Sequence, residues 1–335
     1  MDYRFVGRTG VKVSEIMLGC QTFGWSADEP TAHALADCFV DAGGNFFDTS
    51  NTYNEGESER ILGTWLKSRG NRHRFVIASK VFFPADDKGP NDHGLTRKHI
   101  MDQIDRSLKR LQTDYIDIYQ THCWDASTPL DETLRAMDDL VTAGKIRYIG
   151  ASNWTASQLV RANMLAEKHH WARIDCLQPE YSLLIRSPEW ELLPVCREEG
   201  IGVIAWSPLA GGWLSGKYRR DQLPPPDSRV GRADRWDDLP EQRESEITWQ
   251  IIDALIEVSG ACGNSPSQVA LNWLLQQPGV TAPVIGARTL AQLEDNLGSV
   301  GWSLNAEQMA KLNAASDIPL PSPYNFIARY TRQRA

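Results

Sequence analysis

Four side chains in the first 122 residues have the types that proton transfer beside a charged group requires. Asp48 follows the apolar run "NFF", and Tyr53 comes five residues later, before a segment that starts like an acidic, capped helix. Lys80 ends the run "FVIASK", and His122 ends "YIDIYQTH". Singly, each residue has an ordinary structural explanation, such as a helix cap or a core histidine. Together, at the ends of apolar runs, they indicate a proton-transfer site.

Reduction of a carbonyl group is a reaction in which each of these four residue types has a role. As hydride reaches the carbon, the oxygen becomes an alkoxide that must receive a proton, and a phenol supplies it only if its pKa falls from about 10. A nearby ammonium lowers that pKa, a carboxylate orients the ammonium, and a histidine N–H hydrogen-bonds the carbonyl oxygen. The sequence therefore predicts Tyr53 as the proton donor, Lys80 as its activator, Asp48 as the residue that holds Lys80, and His122 as the carbonyl's partner.

The elements that must position these residues alternate along the chain. Apolar runs that read as strands are EIMLGC, NFFDTS, FVIASK, YIDIYQTH, IRYIGASN, IDCLQPEY, IGVIAWSP and TAPVIGA. Amphipathic segments between them predict helices at 31–42, 57–69, 97–110, 130–143, 156–168, 188–199 and 266–277. Alternation favours parallel strands with crossover helices, and eight units favour closure into an α/β (β/α)8 TIM barrel. One such domain over residues 1–335 is expected.

Three segments stand outside this rhythm. The opening "YRFVGRTGVKVS" predicts an N-terminal β-hairpin. Insertions at 82–95 and 221–246 follow the third and seventh strands, so in a barrel they form long loops on the C-terminal, catalytic face; a solvated surface insertion explains each equally well. Polar or special residues at the strand ends should meet at that face: Asp48, Lys80, His122, Ser152, Asn153, Gln178, Trp206, Ser207, Gly286 and Arg288.

Composition limits the partners. A net charge of −8 and a pI near 5.4 argue against a nucleic-acid partner and favour a small molecule. The six cysteines show no paired spacing, and the histidines and cysteines show no ligand spacing for a metal. The N-terminus resembles no secretory signal, and no run is long enough to span a membrane. A cytoplasmic location is expected.

Several segments together resemble the aldo/keto reductase superfamily over nearly the whole chain. They are "FFDTSNTYNEGESERILGTWL", "VIASK", "DYIDIYQTH", "KIRYIGASN", "AWSPLAGGWLSGKY" and "VIGARTLAQLEDN". The resemblance is closest to the branch with bacterial general aldo/keto reductases and potassium-channel β subunits, and it implies that Asp48, Tyr53, Lys80 and His122 are the catalytic tetrad. Similar proteins that reduce a conjugated carbon–carbon double bond have glutamate in place of His122, and channel β subunits have asparagine. The resemblance therefore implies reduction of an aldehyde or ketone, with alcohol oxidation in reverse.

A nicotinamide cofactor is expected without a Rossmann motif. The segment "GGWLSGKY" lacks the Ser or Thr of a P-loop, but its glycines and Lys217 suit a pyrophosphate. In the segment "GARTLAQLEDN", Arg288 suits a 2'-phosphate, which favours NADPH over NADH; a solvated surface arginine is the alternative. Gln292, Asp295 and Asn296 follow on a loop and first helical turn, where an adenine and a phosphate can bind.

The resemblance assigns further cofactor residues. It implies that Ser152, Asn153 and Gln178 hold the carboxamide, that Trp206 stacks on the nicotinamide, that Ser207, Leu209, Ala210 and Lys217 line the pyrophosphate path, and that Arg229 folds over it.

The substrate and two alternative functions stay open. Trp25, Phe82, Phe83 and Trp124 could line an aromatic pocket or could be packing residues. One alternative is a cofactor-binding regulatory or scaffold protein similar to the channel β subunits, with slow turnover. Another is a Schiff-base aldolase with Lys80 as nucleophile, which leaves Tyr53 unexplained. The sequence does not decide the oligomeric state.

Overall fold

A closed barrel of parallel strands forms the centre of the molecule. The computed structural model describes residues 1–85, 89–220, 222–226, 228 and 245–330. Within these ranges the barrel strands are β3 (Met17–Gly19), β4 (Phe46–Asp48), β5 (Val76–Val81), β6 (Ile116–Thr121), β7 (Ile146–Ser152), β8 (Ile174–Gln178), β9 (Gly202–Ala205) and β10 (Val280–Ile285). They pair in chain order, and β10 closes the ring against β3. The predicted (β/α)8 barrel is confirmed.

An antiparallel hairpin of β1 (Tyr3–Phe5) and β2 (Lys12–Ser14) precedes the barrel, as predicted. Its Val6 and Val13 are buried in one apolar cluster with barrel residues that include Met17, Phe46 and Ile118. The hairpin therefore closes the N-terminal end of the barrel and leaves the C-terminal end as the open mouth.

Helices surround the strands. They are α1 (Glu29–Asp41), α2 (Glu57–Arg69), α3 (Arg97–Leu111), α4 (Leu130–Thr142), α5 (Ala156–His169), α6 (Leu192–Glu199), α7 (Glu246–Cys262), α8 (Pro266–Leu275), α9 (Leu290–Leu297), α10 (Ala306–Ala315) and α11 (Tyr324–Tyr330). Side-chain N-caps begin several of them, as Thr155 and Ser265 do in full capping boxes. No helix of the described residues is both long and apolar enough to cross a bilayer.

The starts of α6 and α7 depart furthest from the sequence expectation, while the other predicted helices agree to within two residues at each end. The helix expected at 188–199 begins only at Leu192, because Pro188 lies in a separate 3-10 turn, Ser187–Glu189. Helix α7 begins at Glu246, inside the segment that the sequence assigned to an insertion, where Ser245 accepts a hydrogen bond from the Thr248 amide. A serine before an apolar segment is a helix-start signal, but the charged residues before Ser245 led the sequence analysis to extend the insertion to residue 246.

The interior of the barrel changes character from one end to the other. Side chains two residues apart on a strand point to the same side, so the second residue after each inward-facing apolar residue also faces inward. Phe46 is followed by Asp48, Ala78 by Lys80, and Ile118 by Gln120 in this way. A layer of polar side chains therefore lies directly above the apolar one, at the open mouth.

Helices α2 and α3 pack so closely that one position must be glycine. A Cβ atom on Gly63 of α2 would overlap the carbonyl oxygen of Arg110 and the backbone of Leu111. Gly260 of α7 is also helical, but a Cβ atom there would meet nothing within 4 Å. The two glycines therefore form a matched pair for testing the packing of the outer layer.

We expect Gly63→Ala to lower the free energy of unfolding by about 1–3 kcal/mol, because the backbones of α2 and α3 must separate. Gly260→Ala should raise it by roughly 0.5–1 kcal/mol, because alanine loses less conformational entropy in a helix. Denaturant midpoints of the two variants measure the difference. Equal midpoints would contradict the close approach of α2 and α3.

Candidate active site

A buried ion pair lies at the centre of the open mouth. The Lys80 ammonium donates hydrogen bonds to Asp48 Oδ2 at 2.6 Å, to the carbonyl of Thr49 at 3.0 Å and to the Tyr53 hydroxyl at 3.1 Å. Lys80 is fully buried and Asp48 nearly so. All three ammonium protons therefore have partners, which is the condition for burying this charge.

Tyr53 reaches Lys80 because the loop after β4 is fastened at several points. Asn51 donates through Nδ2 to the carbonyl of Phe83 and to Gln103 Oε1, both at 3.0 Å. Asn54 donates through Nδ2 to the carbonyls of Gln21 and Phe23. Asn54 and Glu55 adopt left-handed backbone conformations, with φ of 52° and 55°. Side-chain amides thus hold a strained turn that aims the phenol at the ammonium.

His122 lies beside Tyr53 immediately after β6. Its ring centroid is 5.7 Å from that of Tyr53 and 5.1 Å from that of Phe83, and the planes of both these rings are nearly perpendicular to the His122 ring. Its Nδ1 atom lies 3.2 Å from the Ser50 hydroxyl. Phenol, ammonium, carboxylate and imidazole are therefore gathered in one place, as the sequence-based prediction of a proton-transfer site requires.

Burial and the ion pair set the protonation states. Burial raises the pKa of Tyr53 above its usual value; Lys80 lowers it, but not enough to compensate. The expectation that this pKa falls below about 10 is therefore wrong in its net direction, because the sequence did not reveal how deeply the phenol is buried. Burial disfavours the charge on Lys80, yet Asp48 and Tyr53 raise its pKa overall. Burial, with Lys80, holds the pKa of His122 well below its usual value, so the imidazole is neutral at pH 7.

A hydrogen-bonded chain connects Asp48 to the neighbouring strands. Gln178 Nε2 donates to Asp48 Oδ1 at 2.9 Å, and Ser152 Oγ donates to the Gln178 carbonyl at 2.8 Å. Asn153 Nδ2 donates to Ser152 Oγ and to the His122 carbonyl, and Trp206 Nε1 donates to Asn153 Oδ1 at 3.2 Å. Residues predicted for the nicotinamide end of a cofactor thus join the tetrad in one network.

Left-handed backbone conformations cluster around the same strand ends. Asn153, Ser207 and Ala210 have φ of 58°, 53° and 49°, which cost energy in residues other than glycine. Gly211 and Gly212 follow in a 3-10 segment, Ala210–Ser215, with φ of 66° and 98°. A Cβ atom on Gly212 would lie 2.5 Å from Lys217 Nζ, so the ammonium lies directly over this glycine. Leu209 is half-buried at the start of the segment. The glycine-rich loop therefore presents a positive charge above bare backbone.

Arg288 lies half-buried in the segment between β10 and α9, just before the N-cap Thr289. The Arg288 amide donates to Gln292 Oε1 at 3.0 Å. Asp295 accepts from Gln268 Nε2, and Asn296 donates to the Gly286 carbonyl. Gln292, Asp295 and Asn296 therefore also have internal contacts, which the sequence reasoning did not foresee. Arg229 lies outside the described residues.

Aromatic rings surround the mouth unequally. Phe82 is buried, whereas Phe83 is 38% exposed and contacts His122. Trp25 is 40% exposed in the loop after β3. Trp124 is half-buried against Trp154, with ring centroids 4.8 Å apart. Of the Phe82–Phe83 pair, Phe83 is the ring that the structure puts beside the tetrad.

Three residues that hydrogen-bond to the tetrad or to its loop were not predicted from the sequence: Gln120, Ser50 and Asn51. Gln120 is fully buried and donates to Asp48 Oδ1 at 3.4 Å. It lies two residues beyond buried Ile118 on β6, so the two-residue period was the signal that could have found it. Ser50 and Asn51 lacked such a signal, because their contacts are with loops from other strands.

The family model that matches the chain is that of the Aldo/keto reductase family, over residues 15–317. The chain belongs to this family. An uncharacterised oxidoreductase of Bacillus subtilis, YrpG, is 41% identical over 322 residues, which cover 93% of this chain and 95% of the relative. The aldo/keto reductase chain is also 36% identical to a probable voltage-gated potassium channel subunit beta of Arabidopsis thaliana, over 90% of this chain and 91% of that protein. Versiconal hemiacetal acetate reductase of Aspergillus parasiticus is 33% identical, over 93% of this chain and 96% of that protein. The family assignment supports an oxidoreductase, and nicotinamide cofactors are general in this family.

The lowered pKa of His122 has a measurable effect on the stability of this aldo/keto reductase. Near pH 6.5 a histidine in the unfolded chain takes up a proton that His122 in the folded chain does not. The free energy of unfolding therefore falls as pH falls below about 6.5, by up to about 1.4 kcal/mol per pH unit for each such histidine. Burial also lowers the pKa of His99, so this histidine adds to the loss of stability at low pH.

We expect His122→Asn to lose stability less steeply than wild type between pH 6.5 and 5, since one of these histidines is removed. Urea unfolding at several pH values measures the slope. His73→Asn, at an exposed position, is the matched control. Identical slopes for wild type and His122→Asn would mean that His122 is protonated in the folded protein.

Proposed function

We propose that the protein reduces an aldehyde or ketone to an alcohol with NADPH, and oxidises the alcohol in reverse, with Tyr53 as the proton donor. The observation that carries this proposal is that the Lys80 ammonium hydrogen-bonds both the Asp48 carboxylate and the Tyr53 hydroxyl. The Tyr53 ring in turn contacts the ring of His122. We also propose one cytoplasmic domain over residues 1–335, in keeping with the extent of the family match.

The strand-end surface fits a nicotinamide dinucleotide. Support comes from the backbone of Gly212 beneath the Lys217 ammonium, which suits a pyrophosphate, and from half-buried Arg288, whose guanidinium suits a 2'-phosphate. The bound cofactor would supply the hydride. Residues proposed to hold it are Ser152, Asn153, Gln178, Trp206, Ser207, Leu209, Ala210, Lys217, Arg229, Gly286, Arg288, Gln292, Asp295 and Asn296.

The chain's own residues would then act on the carbonyl oxygen. Tyr53 carries its proton at neutral pH, since burial raises the pKa of the phenol, so it can donate to a developing alkoxide. The Lys80 ammonium stabilises the phenolate that remains, and Asp48 holds the ammonium in place. Neutral His122 positions the oxygen through Nε2–H when Ser50 donates to Nδ1. The Tyr53 hydroxyl oxygen therefore both releases the proton and carries the negative charge that Lys80 stabilises.

The second candidate is a cofactor-binding regulatory protein with slow turnover. It is favoured by the 36% identity to a probable potassium channel subunit beta. The histidine at position 122, where the resemblance gives the channel subunits asparagine, favours the reductase. Turnover of NADPH with a panel of aldehydes and ketones separates the two: NADPH binding without turnover of any of them would favour the regulatory protein.

Tyr53→Phe should reduce kcat by about 10²–10⁴-fold, since general acid catalysis contributes that much, while the dissociation constant for NADPH stays unchanged. Stopped-flow absorbance of the reduced cofactor and a fluorescence titration measure the two quantities. Tyr3→Phe on the exposed face of the hairpin is the control. A Tyr53→Phe enzyme with the wild-type rate would remove Tyr53 as the proton donor.

Arg288→Ala should raise the dissociation constant for NADPH by about 10- to 100-fold, since a charge-assisted hydrogen bond contributes about 1.5–3 kcal/mol, and should leave that for NADH nearly unchanged. Fluorescence titrations with both cofactors measure this. Arg161→Ala, an exposed arginine on the outer helix α5, serves as control. Equal weakening of both cofactors would refute a 2'-phosphate contact.

A further inference from the structure

Phe83 is a large apolar side chain that stays partly in solvent at the mouth of the barrel. Its exposed fraction is 38%, whereas that of neighbouring Phe82 is 9%. The Phe83 ring lies 5.1 Å from the His122 ring at an interplanar angle of 77°. His122 therefore has the Tyr53 ring and the Phe83 ring as edge-on neighbours, and one imidazole ring connects Phe83 to the proposed proton donor.

The Phe83 ring is held in a fixed position relative to Tyr53. Asn51, two residues before Tyr53, donates to the Phe83 carbonyl at 3.0 Å, and Thr52 donates to the Pro84 carbonyl at 3.1 Å. The Phe82 ring packs perpendicular to it at 4.9 Å. Because the same two residues, Asn51 and Thr52, fasten both loops, the phenol and the Phe83 ring keep their spacing.

A rigid ring beside the reacting oxygen discriminates between substituents on the carbonyl carbon. An aromatic substituent gains from edge-to-face or offset contact with phenylalanine beyond the burial of its area. A hydroxylated substituent would lose hydrogen bonds to water against the same ring, without compensation. A planar aromatic substituent is therefore favoured beside Phe83 over one that carries several hydroxyl groups.

We propose that Phe83 determines specificity and selects carbonyl compounds whose carbonyl carbon bears a planar aromatic ring, over saturated or polyhydroxylated ones. The inference rests on the proposed reductase function and adds its substrate class. It assigns the selection to Phe83 and not to the buried Phe82.

The test compares benzaldehyde with cyclohexanecarboxaldehyde, which has a ring of similar size without π electrons. The quantity is the ratio of their kcat/KM values, measured with NADPH for wild type, Phe83→Leu, Phe83→Tyr and the control Phe326→Leu on exposed helix α11. Intrinsic reactivity cancels when the ratios of two enzymes are compared.

We expect the ratio in Phe83→Leu to fall about 2- to 10-fold below wild type, as an aromatic pair contact of about 0.5–1.5 kcal/mol requires. Phe83→Tyr and Phe326→Leu should keep the wild-type ratio, and all variants should keep the wild-type dissociation constant for NADPH. Retention by Phe83→Tyr shows that the aromatic ring, and not a disturbed loop, is responsible.

Two other results would overturn the inference and have different meanings. An unchanged ratio in Phe83→Leu, in an enzyme that still reduces both aldehydes, would remove Phe83 as the specificity residue and leave the reductase function intact. Binding of NADPH without reduction of either aldehyde, or of any carbonyl in the wider panel, would overturn the proposed function and this inference with it.

Discussion

The burial of the Lys80 ammonium is the constraint on which the rest of the site depends. An ammonium removed from water costs several kcal/mol unless it is paired and fully hydrogen-bonded. Asp48, the Thr49 carbonyl and the Tyr53 hydroxyl together meet this requirement. Each of these partners is in turn fixed by another strand or loop, and so the charge organises the whole mouth of the barrel.

The two ends of the barrel have different roles: the N-terminal end stabilises the fold, and the C-terminal end holds the candidate active site. At the N-terminal end, the hairpin's Val6 and Val13 pack onto an apolar layer, which stabilises the fold without polar groups. At the C-terminal end, the polar layer and the left-handed backbone at Asn153 and Ser207 cost free energy. The apolar layer and the surrounding helices offset that cost, so the strained residues persist where a ligand could use them.

Side-chain environment was the part of the site that could not be predicted. The sequence indicated a phenol next to an ammonium, and from that a lowered pKa, but the net direction depends on burial that only the packed loops create. The sequence could not distinguish Phe82 from Phe83. In the folded chain Phe82 is buried and Phe83 is exposed beside His122, in a loop that Asn51 holds through the Phe83 carbonyl. Helix α7 was hidden by the charged segment before its cap at Ser245.

The sequence by itself determined the barrel, since apolar runs alternating with amphipathic segments leave few other ways to bury both faces of parallel strands. It also identified Asp48, Tyr53, Lys80 and His122 as residues that meet at one rim, because the carboxyl ends of parallel strands share an edge. Only the tertiary structure decided how these residues are bonded, which protons they carry and which aromatic ring stands beside them. Those properties depend on contacts between loops far apart in sequence, whose geometry no local pattern encodes.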